Sequence, residues 1–348
     1  MLNNLKAVLA VGLMLTMCVA SDGAAIAAER KSVVSAQKKQ TNSAVLKKVR
    51  PSPAKKAKPS PAARKAPARK TTASTPSAWQ ETRKLAVQSS SALVIEQNGG
   101  ASLYQKNADV VAPIASITKL MTAMVVLDSS PNLQVPITIT EDDVDTLRGS
   151  RSRLHVGSAM SLESALLLAL MSSENRAANA LARHYPGGIG AFVAAMNIKA
   201  QALGLRDTHF EDATGLTSNN VSTARDLARM VIAAYRYPLI RELTTTAEAT
   251  VAVGGREMDY RNTNPLVKST AWDVGLSKTG YIHEAGKCLV MQARVAERPV
   301  VIVLLDSAGK LTRVGDANRI RRWMESVHAA SGTREKTVLS RAVSDGPG

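Results

Sequence analysis

The stretch Ala112-Pro113-Ile114-Ala115-Ser116-Ile117-Thr118-Lys119-Leu120-Met121-Thr122-Ala123-Met124-Val125-Val126-Leu127 constrains this chain more than any other. It reads as a helix apolar all round, and such a helix must be covered on every side by other elements. Yet it carries Lys119, one turn after Ser116. Residues three apart share a helix face, so the hydroxyl and the amine can meet. Burying an ammonium costs several kcal/mol unless it is paired or neutral. Burial therefore pushes the lysine pKa down and frees an amine to act as a base. Pro113, three residues before Ser116, sets the helix start near the serine and leaves the serine amide free to donate. A plainer reading of the same residues has Lys119 snorkelling to the surface and Ser116 as an N-cap. Spacing does not decide between them, because Ser35-Ala36-Gln37-Lys38 and Ser52-Pro53-Ala54-Lys55 share it.

The N-terminus has the layout of a secretory signal peptide over 1–27. Lys6 is followed by an apolar run from Ala7 to Val19 and by small residues ending in a cleavage site after Ala27. The run is too short to stay as a membrane anchor. Cys18 lacks the small residue expected before a lipid-modified cysteine. Export leaves Cys288 as the single cysteine, which excludes an intramolecular disulfide and a thiolate metal cluster. Its apolar surroundings mark a buried structural thiol. From Glu29 to Thr75 there are fourteen Lys/Arg and one acid, so +13 of the formal +17 sits there. Such a segment cannot build a core and reads as a disordered basic arm over 28–85. Export argues against nucleic acid as its partner. A weak electrostatic contact with anionic wall polymers or lipid headgroups, or a plain spacer, remains.

From about 86 to 330 the composition is that of an ordinary folded domain. Ala92–Glu96 and Ala101–Tyr104 flank Asn98-Gly99 and read as a hairpin. A mostly helical middle follows. Ser161 caps a helix over Leu162–Met171; others run from Arg176 to Arg183, Ile189 to Leu203, and about Ser222 to Tyr235. Strands return at Leu276–Ile282, Lys287–Val295 and Pro299–Leu305, the last two turning at Ala296-Glu297-Arg298. A final helix spans Thr312–Ala330, and 331–348 reads as an unfolded tail. The fold expected is α+β, an antiparallel sheet built from both chain ends with flanking helices and a mostly helical subdomain.

Two further fragments bear on chemistry, Ser173-Glu174-Asn175 between two helices and Lys278-Thr279-Gly280 on a strand. Ser-x-Asn is common, and Ser130-Pro131-Asn132 and Ser218-Asn219-Asn220 also fit. The ordered set is specific: Ser-x-x-Lys heading a buried helix, Ser-x-Asn after the next, Lys-Thr-Gly on a C-terminal strand. That trio is the known signature of serine β-lactamases and penicillin-binding proteins. The chain resembles the low-molecular-weight D-alanyl-D-alanine peptidases at 115–123, 170–182 and His209-Phe210-Glu211-Asp212-Ala213-Thr214-Gly215-Leu216. With Ser-Glu-Asn in the second motif it is most similar to the endopeptidase branch. The resemblance implies a serine β-lactamase/DD-peptidase-like fold over 86–330 and the following roles. Ser116 is the acyl-ester nucleophile, Lys119 the general base and Ser173 a proton relay lying between the lysine amine and the leaving nitrogen. The amides of Ser116 and Tyr281 form the oxyanion site. Asn175, Lys278, Thr279 and Gly280 bind substrate, with Gly280 letting the substrate backbone lie along the strand. No cofactor or metal is implied. Partners would be peptidoglycan stem peptides, with β-lactams as covalent inhibitors, and the location periplasmic.

Rival readings remain. A β-lactamase would share Ser116, but no Glu-x-x-Leu-Asn-like segment between 175 and 278 supplies a deacylating glutamate. A carboxypeptidase of the same family would carry an extra β domain and a C-terminal amphipathic helix. The short stretch after Ala330 holds neither, which favours cleavage of D-alanyl–diaminopimelate cross-links. A non-catalytic envelope-binding module acting through the arm is the third. His155, His184, His209, His283 and His328 are scattered, without a metalloprotease or hydrolase-elbow motif. Glu141-Asp142-Asp143-Val144-Asp145 reads as a solvated turn.

Overall fold

The computed structural model describes residues 85–98, 100–309 and 311–344. The signal peptide and all but the last residue of the basic arm lie outside them, as does Gly99 of the first turn. In chain order the elements are β1 (Ser91–Glu96), β2 (Ser102–Lys106), β3 (Ala112–Pro113), α1 (Lys119–Asp128), β4 (Pro136–Thr138), β5 (Ala159–Ser161), α2 (Leu162–Met171) and α3 (Asn175–Arg183). There follow α4 (Gly188–Ala202), β6 (Val221–Ser222), α5 (Ala224–Ala234), α6 (Pro238–Thr245), β7 (Glu248–Val253) and β8 (Arg256–Arg261). The chain closes with β9 (Asp273–Ile282), β10 (Gly286–Val295), β11 (Arg298–Ser307) and α7 (Thr312–Ser344).

The main sheet has the order β2-β1-β11-β10-β9, antiparallel throughout, so strands from both chain ends meet where Ser91 faces Leu305. Its central strands are apolar at nearly every position because both faces are covered. Alternate residues separate cleanly. Leu93, Ile95, Val301, Val303 and Leu305 face the core shared with the helical layer. Ala92, Val94, Val300, Ile302 and Leu304 face a second core closed by Ala317, Ile320 and Met324 of α7. That is the two-residue period of a strand serving two layers. The β10–β11 turn has Ala296 at φ 49° and Glu297 at φ 63°, the paired left-handed geometry that suits strand twist.

Ser161 caps α2 as the sequence suggested, accepting from the Ser164 amide at 3.1 Å, and Thr223 caps α5 by accepting from the Asp226 amide at 3.1 Å. Three departures follow physical causes. First, α7 continues through Ser344 instead of ending at Ala330. Residues 331–344 contain no proline, and an established helix extends at one hydrogen bond per residue. Second, α6 and the β7–β8 hairpin were not foreseen. Pro238 at the first position of α6 and Gly254-Gly255 at the hairpin turn, both at positive φ, are their local signals. Third, the acidic 141–145 segment is no solvated turn. Asp143 is buried and ion-paired with Arg183 at 2.8 Å, while the Asp145 carboxylate accepts the amides of Leu147, Arg148 and Ser150.

Candidate active site

Ser116 does not open the α-helix as expected. A short 3₁₀ turn, Ala115–Thr118, precedes α1, which starts at Lys119. Ala115 lies at φ 49°, a left-handed conformation costly for a residue with a Cβ, so the regular helix cannot extend back through it. The Thr118 hydroxyl closes the turn by donating to Ala115 O at 2.8 Å. Backbone packs on the turn from two sides. A Cβ placed on Gly215, itself at φ 80°, would fall 1.9 Å from Ala115 O; one on Gly280 would fall 2.9 Å from Ile114 O and 3.2 Å from the Ser116 amide nitrogen. The missing Cβ of Gly280 thus also leaves room for the nucleophile's own turn.

Lys119 is 1 % exposed, with its Nζ 2.8 Å from Ser116 Oγ, 2.7 Å from Asn175 Oδ1 and 2.7 Å from Thr214 O. Burial drives its pKa down to about 7, against the pull of Asp212 and Glu174. The partners then fix where the lone pair points. Thr214 O can only accept. The Asn175 amide is oriented by donation from Nδ2 to Ser150 Oγ at 2.9 Å, so its Oδ1 also accepts. A neutral amine has two N–H bonds, and these two acceptors take both. Its lone pair is left facing the Ser116 hydroxyl, the geometry a base requires.

Lys278 forms the opposite wall. It is also 1 % exposed, and donates to Ser173 Oγ and Thr279 O, both at 2.9 Å. Burial first, then the charges of Lys119 and Arg313, hold its pKa well below the ordinary lysine value. Arg313, from α7, spans the strands by donating to Gly280 O and Cys288 O at 3.1 Å, and burial lowers its pKa too. The Thr279 hydroxyl donates to Thr263 Oγ1 at 2.7 Å. Tyr281, exposed at the end of this run, faces Lys287 across β9–β10, with the Lys287 ammonium over its ring at 4.0 Å. The Ser173 hydroxyl is placed against the sheet side of the site. It is held by Lys278, whereas the contacts of Lys119 go to Ser116, Asn175 and Thr214. Ser173 sits at φ 64°, and this left-handed turn carries its side chain to the sheet side of the site.

Of the residues singled out in the sequence, Ser116, Lys119 and Asn175 share one hydrogen-bonded group, and Ser173 and Lys278 form a second. Sequence reading missed the residues that hold them. Asp212 gathers the amides of Thr214, Gly215 and Thr217, which aims Thr214 O at Lys119. Its signal was there in Asp-Ala-Thr-Gly, an aspartate able to bond its own backbone two residues on. Ser150 had no signal, since it lies in a polar run of serines and arginines. Arg148, in the same loop, donates to Leu216 O at 2.5 Å and pairs with Glu284 at 2.9 Å, tying the loop to both sides of the site. Cys288 is fully buried, its thiol pushed up to about 11 by burial. Among the described residues no His, Cys, Asp and Glu side chains are grouped to hold a metal ion.

A hydroxyl facing an amine whose pKa burial lowers to about 7, on a rigid turn beside a lysine-bearing strand, can carry out acyl transfer. An α+β fold with this site defines a serine hydrolase of the β-lactamase/DD-peptidase type. The chain belongs to the D-alanyl-D-alanine carboxypeptidase family, peptidase family S11, whose model matches residues 74–309. It is 52 % identical over 240 residues to the D-alanyl-D-alanine endopeptidase of Pseudomonas aeruginosa, covering 68 % of this chain and 77 % of that one. It is 45 % identical over 259 residues to the Escherichia coli D-alanyl-D-alanine endopeptidase, covering 74 % and 82 %. The crystal structure of the Streptomyces K15 DD-transpeptidase superposes with a TM-score of 0.64 at 31 % identity, covering 68 % of this chain and 97 % of that chain. The chain is accordingly a serine-type D-Ala-D-Ala peptidase.

Proposed function

We propose that the protein is a D-alanyl-D-alanine endopeptidase that opens peptide cross-links of peptidoglycan through an acyl-enzyme on Ser116. One observation carries this reading: the Lys119 amine, its two N–H bonds taken by fixed acceptors, meets Ser116 Oγ at 2.8 Å. Lys119 takes the Ser116 proton as Oγ attacks the D-alanyl carbonyl. The Ser116 and Tyr281 amides receive the oxyanion. Ser173, steadied by Lys278, gives its hydroxyl proton to the leaving nitrogen, and the proton held by Lys119 restores it once the hydroxyl turns toward the amine. The C–N bond breaks and leaves an ester. Water, activated by Lys119 and Ser173, then hydrolyses the ester and frees Ser116. Lys278 and Thr279 bind a carboxylate, from the stem peptide or from a β-lactam, and Asn175 contributes to holding the substrate amide through its remaining N–H.

The naming of both relatives as endopeptidases supports cleavage of cross-links over carboxypeptidase trimming. The protein acts outside the cytoplasm, exported by the 1–27 segment into the periplasm, and the basic arm contacts anionic wall or lipid surfaces. No helix among the described residues is long and apolar enough to cross a membrane. The test is product analysis on purified cross-linked muropeptides. Conversion of dimers to monomers by wild type, and not by Ser116→Ala, is the expected result. Trimmed pentapeptides with intact dimers would move the assignment to a carboxypeptidase.

A further inference from the structure

The fragment Ser218-Asn219-Asn220, which shares the Ser-x-Asn pattern but supplies nothing to the site directly, ends in a buried hub. Asn220 is fully buried, and both polar atoms of its side chain are engaged. Its Oδ1 accepts the amides of Glu211 and Asp212 at 2.7 and 3.2 Å, which fixes the orientation of the side-chain amide. Its Nδ2 then donates to Asp212 O at 2.9 Å, Asp212 Oδ1 at 3.1 Å and Thr118 Oγ1 at 3.0 Å. The main chain adds a further link, because the Ile114 amide donates to Asn220 O at 3.0 Å where β3 pairs with β6.

These bonds join two pieces of backbone that serve the two members of the catalytic pair. One is the 212–214 loop, where Asp212 Oδ1 also collects the Thr214 and Gly215 amides and so aims Thr214 O at Lys119. The other is the Ala115–Thr118 turn that presents Ser116. Ala115 is left-handed there, a conformation that persists only where the surroundings hold it. The Thr118 hydroxyl does the holding by donating to Ala115 O at 2.8 Å. A hydroxyl has one hydrogen, so the donation from Asn220 falls on a lone pair of Thr118 Oγ1 and keeps that hydrogen turned toward Ala115 O. We propose that Asn220 is a positioning residue for acylation, coupling the loop that carries the Lys119 acceptor to the turn that carries Ser116. The inference rests on the reading of Ser116 as the acylated residue. Thr122 makes a separate link from α1 to the loop, its hydroxyl donating to Ala213 O at 2.6 Å, but that bond does not reach the turn. Only the path through Asn220 and Thr118 ties the alignment of the nucleophile to that of the base.

The test is stopped-flow acylation of the full chain by benzylpenicillin, resolved into noncovalent binding and the acylation rate constant. Asn220→Ala and Thr118→Val should each slow acylation roughly tenfold or more, the scale of a small misplacement, and leave noncovalent binding within about twofold of wild type. Thr118→Ser keeps the hydroxyl and should keep most of the rate. Because Asn220 acts through Thr118, the double variant Asn220→Ala/Thr118→Val should be about as slow as the slower single one. Single-variant losses that multiply in the double, or a loss of binding in place of rate, would overturn the proposal. So would Thr118→Val acylating within about twofold of wild type, and that comparison leaves the bonds of Asn220 to its own loop intact, so it decides the matter even where Asn220→Ala does not fold. Failure of wild type to label at Ser116 would overturn the serine-peptidase reading and the coupling with it, whereas normal labelling with unchanged rates in the variants overturns the coupling alone.

Discussion

Two buried lysines face each other across this site, and they are buried for different ends. Lys119 rises from the helical layer among acceptors, with Asp212 and Glu174 near enough to temper the cost of its charge. Lys278 comes from the sheet, where the charges acting on it are cationic, those of Lys119 and Arg313. Both pKa values are lowered by burial first. The contrast lies in their partners: Lys119 has fixed acceptors and the Ser116 hydroxyl, while Lys278 has hydroxyl and carbonyl partners and, among the described residues, no counter-charge. In the proposed mechanism the first serves as a base and the second as a donor to an anion.

Substitution of Lys119 should break this contrast most strongly. Lys119→Arg keeps a cation but cannot deprotonate, and acylation by benzylpenicillin should fall by roughly 10²–10⁴-fold, the usual contribution of a general base. Stopped-flow labelling measures it, and a variant acylating at the normal rate would refute the base assignment. Lys278→Gln should act through binding. Losing a charge-assisted hydrogen bond of about 1.5–3 kcal/mol lowers kcat/KM for carboxylate-bearing substrates roughly 10–100-fold, mainly in KM. A loss confined to kcat would instead give Lys278 a part in proton transfer.

The pH dependence separates the two lysines further. Lys119 is competent when neutral, so the acylation rate should climb as pH rises through about 7 and be low on the acid side. Asp212→Asn removes a charge that holds the proton on, and should move that limb to lower pH; a limb that stays put or moves up would place the controlling group elsewhere. The smallest effect belongs to Ser150→Ala. It leaves Asn175 Nδ2 without its orienting acceptor, a loss of about 1 kcal/mol or roughly fivefold in acylation. Unlike a general loss of stability, it should also shift the pH limb, because Lys119 loses a fixed acceptor.

Much of this was legible in the chain. Val300 to Leu305 is apolar without a break, and a strand between two layers must be. The Ser116–Lys119 pair could be read because i, i+3 spacing on a buried segment forces the question of where an ammonium goes. The supports were not legible, and the reason is physical. Thr214 O is a backbone carbonyl, which any residue at that position would supply, and its aim depends on an aspartate two residues earlier. Ser150 reaches Asn175 across twenty-five positions of chain, through a loop whose sequence shows only polarity. Gly280 was singled out for substrate, and the approach of the nucleophile's turn to it was not foreseen, because a glycine announces a close approach without saying what approaches.

That packing has a consequence for resistance to β-lactams. The nucleophile's turn is wedged between Gly215 and Gly280 by main-chain atoms, and neither glycine can gain a side chain without displacing Ala115 or Ile114. A variant that escapes the drug by reshaping this turn would lose the fold along with the target. The surfaces free to drift are the outer ones, the loop carrying Arg148 and the exposed segment carrying Glu284, where an altered side chain changes access to the serine and leaves its scaffold standing.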